Sequence, residues 1–272
     1  MKRKILISVL ILLLVLLTLI ISNSIWIKIR YKAKTRISAK SRLNFFWKNA
    51  QKEIYKSGID ILMQNQDEIK KGLHYNKFIR GNKKLRQIAL TFDDGPHPDY
   101  TKKILAILKQ NNIRATFFVV GEMAEKYPEL VSAEVFAGCN IGNHTFDHVA
   151  MTKLSSLDAA TEIMACGDII QSITGVRPHL FRPPGGDYND STAMIAGALG
   201  YTMVLWTDNA GDWSSPGEKF IELKILWFIS NGGIILMHDG IQQTIDILPK
   251  LIRLLKERGY EFVTIDEMIM NK

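Results

Sequence analysis

Cysteine is scarce in this chain of 272 residues, which holds only Cys139 and Cys166. Two cysteines in a chain of this length exclude a scaffold built on disulfides, and both are expected to pack in the core rather than serve redox or metal chemistry. Tracts rich in Gly, Ser or Pro are also missing, as are internal repeats and low-complexity segments, so neither a flexible linker nor wholesale disorder is expected. Acidic residues are absent from Met1 to Arg36, where Lys2, Arg3, Lys4, Lys28, Arg30, Lys32, Lys34 and Arg36 stand. Those eight basic residues equal the whole net charge of +8, which leaves the rest of the chain neutral. A neutral body argues against a basic domain that reads nucleic acid, and no nucleic-acid partner is expected.

The longest apolar run is "ILISVLILLLVLLTLII", Ile5 to Ile21, and no charge follows it until Lys28. As a helix the uncharged stretch 5–27 would reach about 35 Å at about 1.5 Å per residue, enough to cross a hydrocarbon core of about 30 Å. The candidate cleavage sequence "SNS" is followed by further apolar residues, "IWI", so residues 1–27 are read as an uncleaved transmembrane signal anchor. Residues 28–84 form a basic, partly amphipathic segment, read as a juxtamembrane helical stalk. Counting Lys and Arg alone would keep the following domain in the cytoplasm, although large domains often translocate regardless of flanking charge.

From residue 85 to 272, short apolar runs alternate with helical patterns such as "TKKILAILKQNN" and "DILPKLIRLLKERG". The runs are Ile88–Phe92, Ala115–Val120, Asn140–His144, Leu180–Pro184, Met203–Trp206, Gly233–Met237 and Glu261–Ile265. Continuous apolar strands separated by helices predict an α/β domain with a parallel sheet buried on both faces. Ionisable residues cluster where these runs end: Asp93 and Asp94, His144, Arg182, Asp208 and Asp212, then His238 and Asp239. In parallel α/β folds those ends share one side, so distant residues should converge on one mouth.

"NHTFDH" places His144 and His148 four residues apart, so that both imidazoles would face one way if the segment turned as a helix. With Asp94 they make a triad able to hold zinc while leaving a position open. Adjacent Asp93 and Asp94 repel one another, and a divalent cation that takes Asp94 as a ligand offsets the repulsion. The cation would lower the pKa of a water towards about 7, and Asp93 beside it would accept the proton as the water attacks a carbonyl. His238 is the strand-end group suited to protonate the leaving atom. Arg182 would orient Asp93, Asp212 would orient His238, and a backbone N–H near Gly185 would face the oxyanion.

"TFDDGPHPDYT", "HTFDH", "RPPGG", "DW" at Asp212 and Trp213, and "LMHD" occur in the order and approximate spacing of the polysaccharide deacetylases, the NodB-homology carbohydrate esterases of family four. The resemblance covers about Arg86 to Met268. It implies a distorted, incomplete (β/α) barrel and metal-dependent hydrolysis of N-acetyl groups, or O-acetyl in some members, on polysaccharides. It implies Asp93 as base, Asp94, His144 and His148 as metal ligands, and His238 as acid, with Arg182 and Asp212 as their respective partners. Trp213 and Leu236 match the family's apolar lining for the acetyl methyl. Zinc is the metal expected, with cobalt or another transition metal as alternatives. The chain departs at Gly185, a position commonly aromatic in the family, and at Asn209, often Asp.

With an anchor beside the cell wall, the expected substrate is peptidoglycan N-acetylglucosamine. Chitin oligosaccharides, an O-acetyl polysaccharide or a noncatalytic glycan-binding role are the alternatives. The same substrate places the catalytic domain outside a single-pass membrane anchor.

Overall fold

The structure, a computed structural model, describes residues 55–271. The anchor over 1–27 and the stalk as far as residue 54 lie outside the described residues. Among the described residues, no helix is long and apolar enough to cross a membrane.

In chain order the elements are α1 (Gly58–Lys70), β1 (Lys77–Phe78), β2 (Gln87–Gly95), α2 (Thr101–Gln110), β3 (Thr116–Val119), α3 (Gly121–Lys126) and α4 (Pro128–Phe136). There follow β4 (Asn140–Asn143), α5 (Ser156–Thr174), β5 (Leu180–Phe181), α6 (Asp190–Ala198), β6 (Thr202–Val204) and β7 (Asp208–Asn209). The remainder is α7 (Glu218–Phe228), β8 (Gly233–His238), α8 (Gln242–Glu257), β9 (Glu261–Phe262) and α9 (Ile265–Met270). Local chemistry sets the boundaries. Ser57 and Asp60 form a capping box that starts α1, and Thr264 with Glu267 does the same for α9, cutting short the run expected to be strand as far as Ile265. The strand expected over Leu180–Pro184 stops at Phe181, where Arg182 and two prolines lead into a tight turn.

All described strand pairings are parallel, in the order β1-β6-β5-β4-β3-β2-β8-β7, with β9 beside the start of β2. This order forces curvature. Six strand spacings separate β6 from β7, roughly 29 Å in a flat sheet at about 4.8 Å each. Yet Val204 and Asp208 are four residues apart, a reach of about 15 Å at about 3.8 Å per step. The sheet therefore curls into an incomplete barrel, and the chain crosses the seam between its edges. Leu205 N–H donates to Phe78 O at 2.9 Å on one side, and Thr207 N–H to Ile234 O at 3.0 Å on the other. Trp206, fully buried, fills the seam between them.

The sheet begins ahead of residue 85. Part of the segment read as stalk belongs to it, because β1 pairs with β6 and both Ile61 and Phe78 are core residues. Both cysteines are free and buried, as core packing requires. Burial pushes the Cys139 thiol up to about 11 and the Cys166 thiol higher still, which keeps them unreactive.

Candidate active site

Strand register brings the motifs together. Asp93 on β2 lies level with His238 on β8, while Asn143 on β4 pairs with Phe181 on β5, so His144 and Arg182 leave their strands side by side. Alternation along a strand would send Asp93 and Asp94 to opposite faces. A register shift between Asp93 and Gly95 against β3 breaks the alternation, and Asp94 adopts φ 71°. This bulge delivers both carboxylates to the mouth.

His144 and His148 converge by a different route from the helical turn expected. The segment is irregular, with Thr145 and His148 at positive φ. Glu162 on α5 holds it by accepting the N–H groups of Phe146 (3.0 Å) and Asp147 (2.8 Å). Asn143 adds a bond from the Thr145 N–H to its side-chain oxygen at 2.9 Å.

Asp94 Oδ1 stands 3.0 Å from His148 Nε2 and 3.5 Å from His144 Nε2. Two donors about 2.0–2.2 Å from one tetrahedral metal stand roughly 3.3–3.6 Å apart, so this set has the right size. Its donor atoms all lie within 4.8 Å of one another. His144 Nδ1 faces the Arg182 carbonyl oxygen at 2.8 Å, an acceptor only, so Nδ1 carries the hydrogen and Nε2 presents its lone pair to the site. Burial pushes the Asp94 carboxyl up, but His148 and His144 outweigh it and hold the group well below the usual carboxylate range. The three residues fit a divalent metal by geometry and donor chemistry.

Two buried pairs flank them. Arg182 donates from Nη1 to Asp93 Oδ1 at 2.7 Å and to Thr91 Oγ1 at 2.8 Å, and from Nε to Val204 O at 3.1 Å. Its guanidinium carbon lies 4.1 Å from the Phe118 ring centroid. Asp93 Oδ2 has no hydrogen-bond partner; it points towards His144 Nε2, 3.7 Å away. In the second pair, His238 Nδ1 meets Asp212 Oδ1 at 2.8 Å, and the His238 N–H donates to Asp212 Oδ2 at 2.8 Å. Thr244 Oγ1 donates to Asp212 Oδ2 at 2.5 Å, leaving His238 Nε2 without a partner on the site side. Burial pulls the His238 imidazole down, but Asp212, with smaller help from Asp94 and Asp93, raises it to about 9.

Leu236 is buried in the core, and the partly buried Trp213 packs against the same cluster. Gly185 lies in the Pro184–Gly186 turn at φ 63°; the turn's own bonds use the N–H groups of Gly186 and Asp187. Asn209 Oδ1 accepts the Gly211 N–H at 2.8 Å and so shapes the approach to Asp212. The expected metal and catalytic residues thus gather in one mouth. Tyr55, Thr91, Glu162 and Thr244 join them without having been singled out. Ser57 and Asp60, a helix-start pattern just after Tyr55, are a signal that could have pointed there, whereas no motif marks the other three.

A curled parallel sheet with this donor set defines a class, and the chain belongs to the polysaccharide deacetylase family. The family's sequence pattern, "Polysaccharide deacetylase", matches residues 80–204. A peptidoglycan-N-acetylglucosamine deacetylase of Bacillus cereus is 37% identical over 199 residues, covering 71% of this chain and 92% of the relative. A peptidoglycan-N-acetylglucosamine deacetylase of Listeria monocytogenes is 36% identical over 187 residues, covering 69% of this chain but only 40% of that protein. Among solved structures, a peptidoglycan N-acetylglucosamine deacetylase in complex with 4-naphthalen-1-yl-N-oxidanyl-benzamide superposes with a TM-score of 0.70 at 34% identity, covering 73% of this chain and 94% of that one. A family 4 carbohydrate esterase pseudoenzyme from Bacillus anthracis reaches the same TM-score at 28% identity, covering 74% of this chain and 71% of its own. Fold likeness therefore does not separate enzyme from pseudoenzyme, and the donor set has to.

Proposed function

We propose that the chain hydrolyses N-acetyl groups of peptidoglycan glucosamine at the outer face of a cell membrane. The observation that carries the reaction is the convergence of Asp94 Oδ1, His144 Nε2 and His148 Nε2 beside Asp93 Oδ2, which has no hydrogen bond, with His238 level with Asp93 on the next strand and its Nε2 likewise without one. The acetyl substrate follows from the family and from the relatives' names. Zinc is the metal we assign, because two imidazoles, one carboxylate and an open position suit its tetrahedral chemistry.

When bound, the metal supplies a Lewis acid that polarises the acetyl carbonyl and lowers the pKa of water. Asp93 Oδ2 takes a proton from the attacking water, whose oxygen adds to the carbonyl carbon. Arg182 keeps Asp93 aimed by occupying Oδ1. As the C–N bond breaks, His238 Nε2 gives its proton to the leaving nitrogen, so acetate and a free amine result. Asp212 supports the imidazolium before that transfer, the Gly185 N–H faces the oxyanion, and Trp213 with Leu236 receives the methyl group.

Residues 5–27 serve as the anchor in this reading, and the site faces outward because its substrate lies there. The test is acetate release by the full chain in detergent, loaded with zinc or cobalt, from peptidoglycan, chitin oligosaccharides and an O-acetylated polymer. Release from peptidoglycan above the others is expected. No acetate from any of them overturns the reading. Protease treatment of intact cells should cleave the domain; full protection would overturn the outward placement.

A further inference from the structure

Tyr55 reaches the site from outside every motif. Its ring centroid lies 4.6 Å from that of His238, edge-on at 64°, 5.4 Å from Trp213 and 6.4 Å from Trp206. The residue is 7% exposed and shares a core cluster with Leu236. Its hydroxyl donates to Asp94 Oδ2 at 3.4 Å, a long contact on the oxygen turned away from the two histidines.

The segment carrying this ring is pinned against the turn that contains Gly185. Lys56 N–H donates to Gly185 O at 3.2 Å, and Trp206 Nε1 donates to Lys56 O at 3.1 Å. Gly58 packs so closely on the seam that a Cβ there would stand 1.8 Å from the Thr207 carbonyl oxygen. Only glycine permits this approach, which fixes where the preceding residues must lie. Gly185 has no side chain with which to close its flank of the mouth. Tyr55 stands on that flank.

We propose that Tyr55 is a specificity-determining wall of the acyl pocket, its ring closing with Trp213 and Leu236 the space that receives the acetyl methyl. The proposal rests on the deacetylase reading of the site. A wall of this kind discriminates by size, and one extra methylene in a fitted apolar pocket changes kcat/KM by about 10-fold to 200-fold.

The experiment compares acetate and propionate release from N-acetyl and N-propionyl glucosamine oligomers by the full metal-loaded chain. Wild type should favour acetyl by at least ~10-fold. Tyr55→Ala should reduce that preference about 10-fold, and Tyr55→Phe should retain it, since the ring and not the hydroxyl forms the wall. The ratio is insensitive to a mere loss of folded enzyme; if Tyr55→Ala does not fold, Tyr55→Leu gives the same readout. An active wild type whose preference is unchanged in Tyr55→Ala or Tyr55→Leu overturns the wall alone. A shift in Tyr55→Phe as large as that in Tyr55→Ala also overturns it, by assigning the effect to the hydroxyl. A wild type that releases neither acid overturns the underlying reading and the wall with it.

Discussion

Asp93 and Asp212 are both fully buried at the mouth of the sheet, each facing a nitrogenous partner, yet they are bonded differently. Both oxygens of Asp212 are taken, Oδ1 by His238 and Oδ2 by the His238 N–H and Thr244. Asp93 has one oxygen held by Arg182 and the other without a partner. A carboxylate with both oxygens engaged can hold a neighbour but has no ready place for a proton. One with a spare oxygen beside the donor set can accept a proton without breaking a bond. In the proposed mechanism, occupancy of oxygens, more than burial or sequence position, separates the group that reacts from the group that positions.

The largest effects should come from breaking the Asp93 side. Asp93→Asn keeps the size and the Arg182 contact but removes the basic oxygen, so kcat should fall about 10²-fold to 10⁴-fold. Metal content measured on the purified variant should stay at the wild-type level. His144→Ala removes one of three donor atoms and should lose metal and activity together. The rise in melting temperature on adding zinc, expected of wild type, should then vanish. If Asp93→Asn retains near-normal turnover, the distinction between the two carboxylates fails.

Asp212→Asn should cost less, about 10²-fold, because His238 remains in place with a weaker partner. Its signature is the pH profile. His238 must be protonated to act as acid, so activity falls as pH rises through its pKa. The Asp212 carboxylate is the main influence raising that group to about 9. Removing the charge lowers the pKa, and the alkaline limb of kcat/KM should move to lower pH. An unmoved limb would separate His238 from the acid role.

Much of this was legible in the sequence because most of the motifs begin within a residue or two of a strand end, and parallel strands send those ends to one side. Asp94, His144, Arg182 and His238 could be placed that way without knowing the strand order. The order itself was not legible. Parallel pairing in β1 and β7 involves two residues apiece, too few to leave a period of two in the sequence. Tyr55 was hidden for a related reason. It precedes an amphipathic helix in a basic stretch that read as a stalk, and only the curl of the sheet and the glycine contact at Thr207 bring it to His238. The two histidines did converge as expected, but through Glu162 and a left-handed turn, a side-chain contact that four-residue spacing does not encode.

Glu134 on α4 extends the comparison to its limit, since it is fully buried and neither carboxylate oxygen has a hydrogen-bond partner. Burial, then the nearby Asp239, pushes its carboxyl well above the usual range. Asp239 lies between the extremes: one oxygen accepts from Thr101, the other has no partner, and burial carries it up to about 7. An acid whose folded pKa is raised destabilises the fold increasingly as pH climbs above its unfolded value, 4.5 for Glu134. Glu134→Met keeps the volume and removes both unsatisfied atoms. It should leave kcat/KM unchanged and raise the free energy of unfolding by about 1–3 kcal/mol. Urea denaturation should show the gain small near pH 5 and larger near pH 8. A gain that does not grow with pH would mean that the Glu134 carboxyl does not carry the raised pKa on which its contrast with Asp93 and Asp212 depends.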